Sequence, residues 1–302
     1  MGLTVTTLAL TCLTLLGAGY LVLALLGRNE RLAPTVHEAW PILFTETLIV
    51  GVAVGVFWIG GWILTLALLI HAGRIGYEAA KVTELRARTL PPLVVGAAIA
   101  GIAFALSFLP MVLLCAPALI AAVVLILLGR RVGGSGGPDD QIQSVALDLA
   151  LFPTLPLIVF TAAGLNGAYA VWLLAAFILV ETFDSYALLG GKLFGKTKAF
   201  PRLSPNKTVQ GLGVGAAMLM LTAALAGALL AGLPLIESGG IALFVGVLTV
   251  AGDLTASRLK RKSGVKDYPK ILPHQGGLLD ITDAWITAGA GLVCLVVLAG
   301  LG

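Results

Sequence analysis

Residues 209–232 read VQGLGVGAAMLMLTAALAGALLAG, a run without one charged side chain. About 20 apolar residues suffice for a helix to cross a hydrocarbon layer ~30 Å thick, so this run is long enough. Its leucines and alanines are continuous instead of alternating, which excludes the strand of a membrane barrel. Comparable runs occupy residues 3–26, 43–71, 91–109, 111–129, 145–163, 167–186, 239–255 and 283–301. Two of the divisions rest on helix breakers, Pro110 and the turn Gly164-Leu165-Asn166-Gly167. The expected fold is therefore all-α and polytopic, with about nine transmembrane helices.

Composition agrees. Of 302 residues, 59% are apolar before the 38 glycines are counted, and only 11% are charged. Soluble domains hold ~45–50% apolar residues with glycine included, and disordered chains hold fewer. The mean hydropathy is +1.03. No separate soluble domain stands out. The chain divides at the Gly-rich stretch 133–138 into N-terminal helices with a connector (1–140) and a C-terminal region (141–302) that carries most of the charge.

The cations fix the expected orientation. With nine spans, 17 of the 19 lysines and arginines fall in alternate loops, with Arg28 and Arg31 as the two exceptions. Basic loops stay cytoplasmic, so the N-terminal end of the first span is expected inside and the C-terminal end outside. The net charge of +4 then reports orientation in the inner membrane and implies no nucleic-acid partner. Cys12, Cys115 and Cys294 lie within apolar runs and read as buried fillers. Gly51/Gly55 and Gly211/Gly215 have the spacing of close helix packing.

Ionisable residues at membrane depth are costly unless paired or used, so they mark the chemistry. The acidic ones are Glu46, Asp148, Glu181, Asp184, Asp253, Asp280 and Asp283. On a continuing helix, Asp253, Ser257, Lys260, Arg261 and Gly264 share an arc of about 100°. Asp280 and Asp283 are three apart and share a face, and Glu181, Asp184 and Ser185 repeat the arrangement. Carboxylates without histidine or thiolate are hard oxygen ligands suited to Mg²⁺. Cations beside them suit phosphate oxygens. The pattern describes phosphoryl or nucleotidyl transfer at the cytoplasmic membrane edge. The bland alternative is that the carboxylates only neutralise loops that bind anionic lipid. His37 and His71 stand isolated, with no chemistry assigned.

Two ungapped motifs run through these residues. The first joins Asp184-Ser185-Tyr186-Ala187, Gly191 to Lys196, and Pro201-Arg202-Leu203-Ser204-Pro205-Asn206-Lys207-Thr208. The second joins Gly252-Asp253, Ser257, Lys260-Arg261, Gly264, Lys266-Asp267, Pro273, Gly276-Gly277 and Leu279-Asp280 with Asp283. In them the sequence resembles the phosphatidate cytidylyltransferase family, the CDP-diacylglycerol synthases of phospholipid biosynthesis.

The resemblance implies transfer of CMP from CTP to phosphatidic acid or a related lipid phosphate, with release of pyrophosphate. It implies Mg²⁺ held by Asp280, Asp283 and Asp253, with Lys260 and Lys266 as the catalytic cations. Ser204, Lys207, Thr208, Ser257, Arg261, Asp184 and Asp267 are then the substrate contacts. It also makes a homodimer a natural assembly. The family usually has glutamate, glycine, arginine and serine where this chain has Ala256, Pro269, Ile281 and Ala284, and its histidine is displaced to His274. Two other functions compete: a CTP-dependent kinase of a lipid alcohol, and a non-catalytic lipid-binding or transport relative.

Overall fold

The computed structural model describes residues 3–29, 33–83, 145, 148–271 and 276–300. The apolar runs 91–109 and 111–129, Cys115, the connector at 133–138 and His274 lie outside the described residues. In chain order the elements are α1 (Val5–Leu26), α2 (Ala33–Ile59), α3 (Gly61–Val82), α4 (Leu155–Leu165) and α5 (Gly167–Phe194). A hairpin follows, β1 (Lys198–Phe200) antiparallel to β2 (Ser204–Thr208), and then α6 (Val209–Ala226), α7 (Leu235–Lys262) and α8 (Leu278–Leu298). Seven of these helices are long and apolar enough to cross a membrane. The chain is an all-α, multi-pass membrane protein.

Two of the expected spans come out differently. The run 43–71 is not one span. Gly60 and Gly61 both take positive φ (63° and 52°), which ends α2 at Ile59 and starts α3 at Gly61. The run 145–163 gives a π-helical turn at Ala150–Thr154 and then α4, whose 11 residues cover about 16 Å. Phe152 is extended just ahead of it (φ −154°, ψ 130°), with Pro153 next, so no continuous helix forms there.

The extra helix changes the topology. Two helices, not one, separate the loop after α1 from Arg74, so Arg28 falls on the same face as the other basic clusters. Geometry agrees: Glu38, near the start of α2, lies 3.6 Å from Lys192 near the basic end of α5. Arg28 thereby ceases to be an exception to the charge rule, and Arg31 lies outside the described residues. The Val5 end of α1 sits at the face opposite the basic loops, reversing the expected N-terminal side, and shares that face with the Leu298 end of α8.

α8 is the central helix, with most of its residues buried. Its Trp285 stacks among Phe57, Phe160 and Phe177 and donates its indole N–H to the Leu173 carbonyl at 2.8 Å. Against this column pack α3, α4, α5 and α7. Gly215 does serve packing, since a Cβ there would stand 2.9 Å from Ala187 Cβ. Gly51 and Gly55 make no such contact among the described residues: a Cβ at either would meet none of them within 4 Å. Cys12 and Cys294 are both buried.

α5 and α7 each run to 28 residues, about 42 Å, which outlasts the ~30 Å hydrocarbon core. Their polar C-terminal turns therefore emerge at the basic face. That surplus length carries Lys192 on α5 and Lys260, Arg261 and Lys262 on α7 past the hydrocarbon depth, with Asp184 and Asp253 about two turns deeper.

Candidate active site

The site forms where the basic ends of α5 and α7, the start of α8 and the hairpin meet. α7 brings Asp253, Ser257 and Lys260 inward, the last two buried, while Arg261 turns outward and donates to the Val265 carbonyl at 3.3 Å. The chain then turns at Gly264 (φ 70°), crosses an exposed stretch holding Lys266 and Asp267, buries Tyr268, and re-enters at Gly276-Gly277 to start α8. Gly276 has φ 86°, and a Cβ there would stand 2.6 Å from the Asp280 carboxylate. A Cβ on Gly277 would strike Glu78 Oε2 at 2.5 Å. Only glycine fits this re-entry.

Asp280 is spoken for. Its Oδ2 accepts from the backbone N–H of Gly277 and of Tyr268, both at 2.9 Å, and its Oδ1 takes the Lys260 ammonium at 2.6 Å. It caps α8 and pins the loop before it. Asp283, one turn further in, is buried and accepts from the Ala284 N–H at 2.6 Å. Asp253 faces it from α7, because Gly252 lets the two helices touch: a Cβ on Gly252 would stand 2.8 Å from the Asp283 carbonyl and 2.9 Å from Ala284 Cα.

The hairpin sends Lys207 into the same place. Its ammonium lies 3.2 Å from Asp253 Oδ2 and 3.5 Å from Asp184 Oδ1, tying α5 to α7. Burial works to lower the affinity of Lys207 for its proton, but Asp184, Asp253 and Asp283 outweigh it and hold the pKa above the ordinary lysine value. With the folded value raised, this pairing is fully present at neutral pH and is lost only as pH climbs through that value. Thr208 caps α6, accepting from Gly211 N–H at 3.1 Å, and Ser204 is half-buried in the same strand.

The predicted residues thus separate. Asp184, Lys207, Asp253, Asp283, Lys260 and Asp280 converge with Ser257 beside them, whereas Arg261, Lys266 and Asp267 sit on the exposed rim. Asp253 Oδ2 is buried and, among the described residues, makes no hydrogen bond of good geometry and has Lys207 as its one close cation. The donor set is hard oxygen and fits Mg²⁺ by chemistry. It is not a ready cage, since among the described residues no three acidic, histidine or cysteine groups stand close enough to hold a metal. Lys207 and Lys260 occupy the carboxylates instead.

Two supporting residues, Glu78 and Arg74, were given no part in the site by the sequence, and two more, His71 and Asp148, were noted there without a partner. Glu78 of α3 is fully buried and accepts from Leu278 N–H (3.0 Å) and Leu279 N–H (2.8 Å), closing the start of α8. Arg74 donates to Glu78 at 2.7 Å and to the Pro269 carbonyl at 3.3 Å. His71, which stood isolated in the sequence, meets Thr282 Oγ1 at 3.0 Å, between the two aspartates of α8. Asp148 is paired with Arg258 (3.1 Å) and Lys262 (2.5 Å), fixing the outer flank of α7. The i,i+4 spacing of Arg74 and Glu78 was visible beforehand; their partner 200 residues away was not.

Gly252→Ala is expected to force α7 and α8 apart at this contact. The cost should be about 1–3 kcal/mol, the usual price of overpacking, and activity should fall as Asp253 leaves Asp283. Gly51→Ala, where a Cβ meets none of the described residues, is the control and should be neutral or slightly stabilising. Thermal unfolding of the two purified variants in detergent checks the pair; equal melting temperatures would refute the contact.

The uncharacterised protein YnbB of Escherichia coli is similar to this chain, 39% identical over 121 residues, 40% of each protein. A phosphatidate cytidylyltransferase of Helicobacter pylori is 42% identical over 137 residues, covering 43% of this chain and 48% of its own length. One from Bacillus subtilis is 41% identical over 113 residues, covering 37% and 42%. These alignments thus take in less than half of each relative. The model of the cytidylyltransferase family, by contrast, matches residues 42–299, from within α2 to the last turn of α8, and the chain belongs to that family.

Proposed function

We propose that the protein transfers the cytidylyl group of CTP to phosphatidic acid or a closely related lipid phosphate, in phospholipid biosynthesis at the cytoplasmic face of the inner membrane. The observation that carries this reading is the array Asp184–Lys207–Asp253 beside Asp283, Lys260 and Asp280, at the basic end of an otherwise apolar bundle. The names of the Helicobacter and Bacillus relatives support it.

A phosphate oxygen of the lipid forms a bond to the α-phosphorus of CTP, and the bond from that phosphorus to the β-bridging oxygen breaks, releasing pyrophosphate. The nucleophile is already ionised, so no general base is required. Positioning and charge neutralisation are what the residues must supply. Asp253, Asp283 and Asp280 are the residues that would hold Mg²⁺, which when bound would supply positive charge to neutralise the phosphates. Lys207 and Lys260 lie between carboxylates and have only to swing to meet arriving phosphates. Ser257 follows Asp253 by one turn of α7 and adds a hydroxyl donor, while Thr208 holds the start of α6 against Gly191 and Gly211. Arg261, Lys266 and Asp267, on the rim, meet the nucleotide from the water side.

The direct test incubates detergent-purified protein with labelled CTP, phosphatidic acid and Mg²⁺. Lipid-linked CMP with one pyrophosphate per turnover is expected. Phosphorylated lipid with CDP would show a kinase instead, and no product would show a binding protein.

A further inference from the structure

A cavity of about 560 Å³ lies between α1, α2, α5 and α6, with Glu181 and Ser185 in its lining on either side of Asp184. That is the size range of ligand sites, roughly 300–1,000 Å³. Its walls are almost wholly apolar: Leu15, Leu16, Leu43, Val50, Phe177 and Met218 are representative. Along α5 the lining runs from Phe177 to Phe194, about 25 Å at 1.5 Å per residue. One leaflet of hydrocarbon is about 15 Å deep, so an extended acyl chain fits this length.

The polar lining is sparse and largely self-satisfied. Glu46 and Glu181 both line the cavity, close enough for their carboxyl groups to interact. Lys192 lies at the basic end, 3.6 Å from exposed Glu38. Ser185 and Glu181 line the cavity while Asp184, between them on α5, pairs with Lys207. The cavity and the candidate active site therefore share one helix and lie within a turn of each other.

We propose that this cavity binds one acyl chain of the lipid substrate. An apolar space this large within a membrane protein gains nothing by staying empty, because its walls would forgo dispersion contacts. Water does not fill such a space without polar partners. Hydrocarbon does, and the neighbouring site holds the cations that a lipid phosphate needs. The proposal rests on the lipid-phosphate reading only for the identity of the head group.

The test is photolabelling of detergent-purified protein with a phosphatidic acid bearing a diazirine near the methyl end of one acyl chain. Labels are expected on lining residues such as Cys12, Leu16 and Phe177, beyond the background on outward-facing Leu13 and Leu21. Gly19 lines the cavity, and a Cβ there meets only the Leu43 side chain at 3.7 Å, so Gly19→Phe fills the space without a backbone clash. That variant should lose the lining labels and turn over long-chain substrate about tenfold more slowly, with short-chain substrate spared. Labels confined to outward residues, or lining labels indifferent to Gly19→Phe, overturn the proposal. Mapping needs no turnover: lining labels on a protein that makes no CDP-lipid would sink the reaction and leave the cavity assignment standing.

Discussion

Asp283→Asn is expected to lower cytidylyl transfer by about 10³-fold while leaving the protein folded. Removing one preorganised charge from a reacting centre typically costs 10²–10³-fold, and Asp283 is buried where the charges of Asp253, Lys260 and Asp280 all reach it. Asparagine keeps the shape and the acceptor for the Ala284 N–H, so packing around Gly252 should survive. The assay is product formation per mole of monodisperse protein, with the melting curve as the folding control. A variant with near-normal turnover would remove Asp283 from the reacting centre. The comparison matters because Asp280, equally prominent in the motif, already serves three donors as a helix cap.

Glu78→Ala is expected to be the most destabilising single change near the site. It strands the backbone N–H groups of Leu278 and Leu279 in a buried position, each costing about 1–3 kcal/mol, and leaves Arg74 without its carboxylate. About 3–6 kcal/mol is a large share of the ~5–15 kcal/mol that holds a typical domain together. The start of α8 should fray, taking Asp280 and Lys260 with it. Thermal unfolding in detergent measures the loss, and Glu78→Gln, which keeps one acceptor, should fall between the two. An unchanged melting temperature for Glu78→Ala would show that α8 starts without help from α3.

These two residues also mark how much of the site was legible beforehand. Asp283 was, because its spacing from Asp280 and the surrounding glycines form a local pattern. Glu78 was not. It belongs to the part of the chain before residue 140, and the helix it closes lies far beyond that division. Lys207 falls between: its place in a motif was plain, but its contact with both Asp184 and Asp253 depends on the hairpin folding back between α5 and α6.

Sequence alone determined that this chain is a helical membrane protein with an acidic and basic cluster at one face. Hydropathy and charge are summed over local windows, and lipid and water read those sums directly. It could not count the helices, because whether Gly60-Gly61 bends or breaks a run depends on what packs against either side. Tertiary structure alone decided which side α1 starts on, and that two lysines hold the carboxylates in place of a preassembled cage. It also decided that a buried glutamate from α3 closes the start of α8. Each of these depends on ångström-scale distances between residues remote in the chain, which only the packed bundle sets.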